Sequence, residues 1–182
     1  MFKVNIVKLP EKVLREKSKD VPIPLKQEDI ELAEKMIYHV DDSQTPNTKF
    51  RPAVGVAAVQ YGVLKRVFYI HVKDVNDNTV FRDVIFNPKV ISHSNTYSAL
   101  AEGEGCLSVR ESWPGQKGYV PRYSRIIVDG YSYLEKKQRR YDAKGYVAIV
   151  FQHELDHLDG KLFIDRIDRK QPWNKRDNMD LL

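Results

Sequence analysis

Residues 145–158 read Gly-Tyr-Val-Ala-Ile-Val-Phe-Gln-His-Glu-Leu-Asp-His-Leu, a run that begins with apolar residues and ends with two histidines. Its first part, Tyr146 to Phe151, is apolar on every face, which predicts a helix in the interior of the protein. Gly160 is placed to end this helix in the left-handed conformation. Positions 153 and 157 lie about one turn apart on the same helix face. The sequence therefore predicts a buried helix that carries two imidazoles side by side.

Two imidazoles on one helix face can bind one divalent ion, and His153 and His157 have this spacing. Glu154 would then lie beside the ion without being required as a ligand. The sole cysteine, Cys106 in Glu104-Gly105-Cys106-Leu107-Ser108, can supply a third ligand. Three protein ligands leave one position open, as in catalytic sites, where the ion lowers the pKa of bound water from about 15.7 towards 7. We therefore expect a catalytic metal centre with water as the nucleophile.

Each of these residues also has an ordinary structural interpretation. The H-E-x-x-H spacing can occur by chance on a charged surface helix. Two imidazoles and two carboxylates on a buried helix are costly, however, unless they are paired or bound to metal. Cys106 could be a small buried apolar residue, as most free cysteines are. Three further histidines lie apart from any cysteine or carboxylate cluster and are expected to be surface or strand residues: His39, His71 and His93.

Three blocks of this sequence together resemble the motifs of the peptide deformylase family. Two blocks are complete, residues 104–108 and residues 152–158, Gln-His-Glu-Leu-Asp-His-Leu. The third, residues 53–60, reads Ala-Val-Gly-Val-Ala-Ala-Val-Gln and is similar to the family's G-x-G-x-A-A-P-Q. Ala53 replaces the first glycine and Val59 replaces the proline, departures that bear on loop geometry more than on chemistry. The order and spacing of the blocks match the family across nearly the whole chain.

The resemblance implies a metal-dependent hydrolase that removes the N-formyl group from the initiator formyl-methionine of nascent polypeptides. Metal-bound water is expected to attack the formyl carbon, with Glu154 as general base and then general acid. The side chain of Gln60 and the backbone N–H of Leu107 are expected to stabilise the oxyanion. Gln60 could instead be an ordinary polar residue that ends a buried strand.

Substrate contacts follow from the same resemblance. The backbone of Gly55 is expected to pair with the substrate main chain, since a glycine allows close approach of a second backbone. The methionine side chain is expected in an apolar pocket lined by Tyr146, Ile149 and Val150. These three residues could equally be ordinary core, because a helix buried all round has no periodicity that separates pocket from core.

The ion and its surroundings are also implied by the family. One divalent ion per chain is expected, natively Fe(II), while Zn, Ni or Co also suit a thiolate with two imidazoles. The family places the equivalent of Asp156 in an ionic network with an arginine that follows a proline, here Arg122, and Glu104 could join this network. The alternative is a plain surface salt bridge of little energetic value.

Composition favours one catalytic domain spanning residues 1–182. The chain is 42% hydrophobic and 30% charged and has no repeat or long low-complexity tract. A single cysteine excludes an internal disulfide framework, and a reducing compartment suits a thiolate ligand. No apolar run is long enough to span a bilayer, and the N-terminus lacks the form of a signal peptide. We expect a cytoplasmic protein without membrane contact.

Patterning predicts an α+β fold, with antiparallel β-sheets packed around the central metal-binding helix and an N-terminal helix covering one sheet face. The N-terminal helix is expected over Gln27 to Val40, followed by a loop from Asp41 to Pro52. The candidate strands are Arg66 to Val72, Phe81 to Ile91, Arg125 to Tyr133 and Gln138 to Tyr141, with a hairpin turn at Asn76-Asp77-Asn78. The tail Phe163 to Asp168 is interpreted as a strand. This tail and the long Glu111 to Tyr123 segment resemble the second class of the family, found in Gram-positive bacteria.

A net charge of +5 and a pI near 9.1 raise the question of a nucleic-acid partner. The densest basic run, Lys136 to Arg140, would scatter its charges over both faces of a strand, so a solvated strand or turn is favoured over specific DNA binding. The charge could still steer transient association with the ribosome.

Three function classes remain open from the residues alone. A deformylase uses Gln60, Cys106, His153, Glu154 and His157 together. A zinc peptidase shares H-E-x-x-H but takes its third ligand downstream. A silent metal-binding or RNA-binding domain has no use for Glu154.

Overall fold

Two α-helices and eight strands are present in the computed structural model, which describes residues 2–182. The helices are α1, Gln27–Ser43, and α2, Gly145–Leu158. The strands are β1 Gly55–Ala57, β2 Val67–Lys73, β3 Thr79–His93, β4 Tyr97–Ala99, β5 Arg122–Tyr123, β6 Arg125–Ser132, β7 Lys137–Lys144 and β8 Met179–Leu181. Short 3₁₀ helices span Lys12–Arg15, Ala58–Tyr61 and Phe163–Asp165. None of these helices is long and apolar enough to cross a membrane.

A five-stranded antiparallel sheet in the order β1-β2-β3-β6-β7 is the framework of the fold. A second sheet has the order β5-β4-β8, in which β4 is antiparallel to β5 but parallel to β8. The predicted α+β class is therefore confirmed, and the β4–β8 pair is a departure from purely antiparallel sheets. The parallel pairing is possible because more than 70 residues, including α2, separate the two strands.

Strand β2 is buried on both faces because a helix packs on each side of the large sheet. Its residues Phe68 and Ile70 belong to a core cluster shared with α2, in which Phe151 makes an edge-to-face contact with Phe68 at 5.5 Å between ring centroids. Its residues Val67 and Tyr69 point to the opposite core, shared with α1. The alternation of strand side chains thus serves two cores, and α1 covers one sheet face as predicted.

The predicted strands and helices differ from the structure mainly at their ends. Helix α1 continues to Ser43, three residues beyond the predicted Val40, so the expected loop from Asp41 starts later. The hairpin turn between β2 and β3 is confirmed, with Asp77 at a φ of 64°. The Asp74 carboxylate stabilises the turn by accepting hydrogen bonds from the backbone N–H groups of Asn76 and Asn78.

The prediction of a strand over Phe163 to Asp168 is wrong. Residues Phe163–Asp165 form a 3₁₀ helix, closed by a hydrogen bond from the Leu162 N–H to the Asp165 carboxylate at 2.8 Å. Phe163 and Ile167 are both buried in a third core cluster. No α-helix follows α2 in the described chain.

Candidate metal centre and active site

Helix α2 is buried because its apolar first half packs under the large sheet. Ala148, Ile149, Val150 and Phe151 are all buried, whereas Tyr146 departs from the prediction with 39% of its surface exposed. The helix ends as predicted, since Gly160 adopts a φ of +69° two residues after Leu158. The last two turns of α2 therefore hold their polar residues at a fixed position in the protein interior.

Three potential metal ligands meet at this point. One ligand atom from each of Cys106, His153 and His157 lies within 4.8 Å of the other two. The Sγ atom of Cys106 is 3.3 Å from Nε2 of His157. His39, His71 and His93 are not part of this group. The expectation of surface or strand residues holds for His71 in β2 and His93 in β3, but it is wrong for His39, which is buried in α1. The structure thus brings together the cysteine of a loop and the two histidines of α2, as the sequence predicted.

The electrostatics of this group suit a cation. Burial alone would raise the pKa of the Cys106 thiol, but the neighbouring His157 and His153 hold it well below its usual range. Burial alone would lower the pKa of His153, but hydrogen bonds with Cys106 and Glu104 raise it well above its usual range. A thiolate is the form that binds metal. The donor set of one thiolate and two imidazoles, gathered in a buried place, therefore fits a divalent ion.

One histidine is oriented by a buried carboxylate. Nδ1 of His153 donates a hydrogen bond to Oε2 of Glu104 at 2.8 Å. This bond directs the opposite ring nitrogen, Nε2, towards the ligand group, an arrangement common for metal-binding histidines. Nδ1 of His157 is buried and has no hydrogen-bond partner among the described residues.

Glu104 belongs to a network of buried charges, as expected from the family resemblance. Arg122, whose side chain is fully buried, donates from Nε and Nη2 to the two oxygens of Glu104 at 2.8 and 2.9 Å. Arg122 also donates from Nη1 to Asp156. Asp156 additionally accepts two bonds from Arg166, which the sequence analysis did not single out. Glu104, Asp156 and Arg122 are buried, so the alternative of a plain surface salt bridge does not describe the network.

Glu154 makes no hydrogen bond with this network, and the charges of Cys106, His153 and His157 all act on its carboxyl group. Its side chain is buried, and Oε2 has no hydrogen-bond partner among the described residues. Burial raises the pKa of Glu154 to about 7, although His153 and His157 act in the opposite direction. A carboxyl group with a pKa near neutrality can both accept and release a proton at working pH.

Gln60 lies in the 3₁₀ helix Ala58–Tyr61, so it does not simply end a strand. Its Oε1 accepts the Ala57 N–H at 2.9 Å, which fixes the amide orientation. Its Nε2 then points at Ser108 Oγ, 3.1 Å away, and at the Cys106 sulfur, 3.7 Å away. Ser108 is a further site residue that the motif contained but the sequence analysis gave no role.

A cleft of about 340 Å³ opens beside the ligand group. Its lining includes every predicted substrate contact: Gly55, Gln60, Leu107, Tyr146, Ile149 and Val150. Cys106, His153 and Glu154 lie in its wall. Two polar residues at the cleft, Gln44 and Arg51, were not predicted, because nothing in the local sequence connects them to the three motifs.

Gly55 has a second neighbour besides the open cleft. A Cβ atom at this position would lie 2.7 Å from Oε1 of Glu154 and 3.2 Å from its Cδ. Only a glycine therefore leaves room for the Glu154 carboxylate in its present position.

The geometry can be compared with known proteins. A family model described as polypeptide deformylase matches residues 3–173. The chain belongs to the peptide deformylase family. This deformylase is 62% identical over 189 residues to a peptide deformylase of Mycoplasmopsis pulmonis, with 96% of each chain covered. It is 42% identical to peptide deformylase 2 of Bacillus subtilis, with 96% of this chain and 94% of the relative covered.

Solved structures give the same result for the fold. The crystal structure of the peptide deformylase from Ehrlichia chaffeensis superposes with a TM-score of 0.75 at 30% identity, covering 93% of this chain and 90% of that one. Deformylases are metallohydrolases that remove the N-formyl group from N-formyl-methionyl nascent polypeptides. The choice between a deformylase and a zinc peptidase, open from the residues alone, is thereby decided.

Proposed function

We propose that this deformylase works at the cleft described above, with Cys106, His153 and His157 as the ligands of one divalent ion. The observation that carries the proposal is the buried Glu154 carboxylate, unpartnered at Oε2, in the wall of the same cleft as the convergent ligand atoms. An unpartnered buried carboxylate costs stability and is retained where chemistry uses it.

An ion in this position supplies a Lewis acid that polarises the formyl group and makes water more acidic. We propose Fe(II) as the native ion, with Zn, Ni or Co as replacements that the same ligands accept. The assignment is tested by two measurements. One is the metal content of protein purified without oxygen, and the other is formate release after reconstitution with each ion.

Glu154 takes the proton of the attacking water and later delivers it to the departing amine. Its pKa of about 7, raised by burial, suits both transfers near neutral pH. The donors for the oxyanion are the Nε2 group of Gln60 and the backbone N–H of Leu107, both in the lining of the cleft. The fixed amide orientation of Gln60 supports this role, because a prearranged donor needs no reorganisation during the reaction.

The substrate is held by backbone and by apolar surface. Gly55 at the exposed edge of β1 pairs with the substrate main chain, since β1 has β2 on one side only. Tyr146, Ile149 and Val150 form the wall for the methionine side chain. Such a wall discriminates by about 1 to 3 kcal/mol per methylene, so we expect moderate rather than absolute preference for methionine.

The test is formate release from formyl-Met-Ala-Ser by the metal-loaded wild type and by the Glu154→Ala and Glu154→Gln variants. We expect kcat to fall by about 10²-fold or more in both variants, because neither can transfer the proton. Metal content at one ion per chain in all three proteins is the control. Full activity in Glu154→Gln would contradict the proposed role.

We also propose one catalytic domain over residues 1–182 and a cytoplasmic location. A third proposal is transient association with the ribosome, which the net charge of +5 supports. In the basic run, Arg139 pairs with Glu135 and Arg140 with Asp129, so these charges are largely balanced on a solvated strand. The test compares co-sedimentation with ribosomes between the wild type and an Arg139→Glu, Arg140→Glu variant. It shows whether the basic run contributes to ribosome association. Equal co-sedimentation would exclude it as the docking surface.

A further inference from the structure

Arg166 forms the outer end of the charged network behind the metal centre. It follows the 3₁₀ helix Phe163–Asp165 and makes a two-pronged contact with Asp156. Its Nε donates to Oδ2 and its Nη2 to Oδ1, each at 2.6 Å. Paired parallel bonds between a guanidinium and a carboxylate fix both groups in orientation as well as in distance.

The contacts continue without interruption to a metal ligand. Asp156 accepts a bond from Arg122, Arg122 donates two bonds to Glu104, and Glu104 accepts a bond from Nδ1 of His153. Every bond in this series joins charged or ionisable groups. Arg166 is the member of the series that faces solvent, with 40% of its side chain exposed.

Among the carboxylates and guanidinium groups of the series, the charges balance only when Arg166 is counted. Glu104 and Asp156 expose 3% and 8% of their side chains, and Arg122 exposes none. Two buried carboxylates facing one buried guanidinium leave one negative charge without a partner, and an unpaired buried charge is strongly unfavourable. Arg166 supplies the second positive charge from the protein surface.

We infer that Arg166 is a positioning residue for the metal centre. By neutralising Asp156 it allows Arg122 to remain fully engaged with Glu104, and Glu104 then holds the His153 ring with Nε2 towards Cys106 and His157. Without Arg166, Arg122 is drawn towards Asp156, and its two hydrogen bonds to Glu104 are weakened. This inference rests on the metal centre proposed above.

The chain contains a matched control for Arg166. Arg15 also exposes 40% of its side chain, and its Nη1 contacts Oδ2 of Asp165, the residue next to Arg166, at 2.5 Å. Asp165 accepts hydrogen bonds from Arg15 and from the Leu162 N–H, and no hydrogen bond or ion pair joins it to Asp156 or Glu104. Exposed ion pairs of this kind contribute little by themselves. Arg15→Gln therefore removes an equivalent surface guanidinium while leaving the series intact.

The experiment compares Arg166→Gln, Arg166→Lys and Arg15→Gln with the wild type. The first readout is the dissociation constant for Co(II), measured by competition with a chelator, and the second is the visible absorption spectrum of the Co(II) protein. We expect Arg166→Gln to bind Co(II) about tenfold more weakly, as is usual when a group supporting a metal ligand is removed, with a changed spectrum. Arg166→Lys should lie between, because an ammonium restores the charge but not the paired bonds. Arg15→Gln should match the wild type.

A Co(II) affinity and spectrum of Arg166→Gln equal to those of Arg15→Gln would overturn the inference. If Arg166→Gln does not fold, Arg166→Lys decides: weaker binding than in Arg15→Gln supports the positioning role, and equal binding overturns it. Failure of the metal centre itself is recognised separately, as Co(II) binding by the wild type that is unaffected by Cys106→Ser.

Discussion

In the proposed function, Gly55 is the residue at which substrate binding and proton transfer meet. The sequence predicts this glycine for its backbone, which must allow a substrate strand to approach. The structure adds that its missing side chain leaves space for the Glu154 carboxylate. In the proposed function, a single position thus serves both the substrate main chain and the Glu154 carboxylate.

Gly55→Ala should therefore impair catalysis more than folding. The added methyl group displaces Glu154, and a displacement of about 1 Å in a catalytic group can cost about 10²-fold in rate. We expect kcat for formyl-Met-Ala-Ser to fall by at least about tenfold. The urea unfolding midpoint should stay near that of the wild type, because the close contact involves one side chain only. An unchanged kcat would show that Glu154 has another equivalent position.

The identity of the residues that meet at the site was predictable, while the identity of those that support them was only partly so. Cys106, His153 and His157 are recognisable because metal ligands have restricted types and spacings. Ser108 and Arg166 are ordinary residue types whose partners depend on the three-dimensional path of the chain. Nothing in the local sequence around Arg166 distinguishes it from a solvated arginine.

At the scale of elements, the end of α2 determines where the histidines lie. Gly160 has a positive φ, and a Cβ atom there would clash with the backbone carbonyl of Arg15. The helix end is therefore packed directly against the N-terminal segment. This contact keeps the last turn of α2, with His157, in register with the rest of the core.

Gly160→Ala should destabilise the protein, and Gly115→Ala is the matched control. Both glycines have a φ of +69°, but the space around Gly115 is open. The backbone penalty, about 1 kcal/mol or more, is common to both variants. The additional loss of unfolding free energy in Gly160→Ala then measures the clash, for which we expect a further 1 to 3 kcal/mol from overpacking. Equal losses in urea titrations of the two variants would show that the N-terminal segment moves aside freely.

Long elements were predicted well because their signal is local. Strand β6 was expected over Arg125 to Tyr133 and spans Arg125–Ser132, and its alternating buried and exposed residues explain the agreement. The short strands β4 and β8 were missed, since three residues carry no periodicity and their pairing depends on distant parts of the chain. The same lack of a local signal explains the wrong strand at Phe163 to Asp168.

At the scale of the whole molecule, a buried histidine connects α1 to the 3₁₀ helix that carries Gln60. His39 is 2% exposed, and its Nδ1 lies 2.8 Å from the hydroxyl of Tyr61. Burial lowers the pKa of His39 to about 4, with Lys35 acting in the same direction and Asp42 against it. The folded protein therefore contains a neutral imidazole at a pH where the unfolded chain is protonated.

This difference predicts the pH dependence of stability. Between pH 6.5 and about 4 the unfolded chain binds one more proton at His39, so the free energy of unfolding falls as the pH falls. The slope from this group approaches about 1.4 kcal/mol per pH unit and vanishes above pH 6.5. Urea titrations at several pH values should show a smaller slope in His39→Gln than in the wild type. His93→Gln, at an exposed histidine, is the control, and parallel curves for all three proteins would contradict the prediction.

The positions of the three proposed ligands along the chain have a thermodynamic consequence. Cys106 belongs to a loop that follows the large sheet's first three strands, whereas His153 and His157 belong to a helix that follows its last strand. The complete ligand set thus exists only when both halves of the chain have assembled. An ion held there binds the native state alone and adds RT ln(1 + [ion]/Kd) to its stability, about 4 kcal/mol at a thousandfold excess over Kd. The melting temperature of this enzyme consequently becomes a measure of its metal occupancy. Removal of the ion by a chelator would lower the melting temperature even in the absence of substrate.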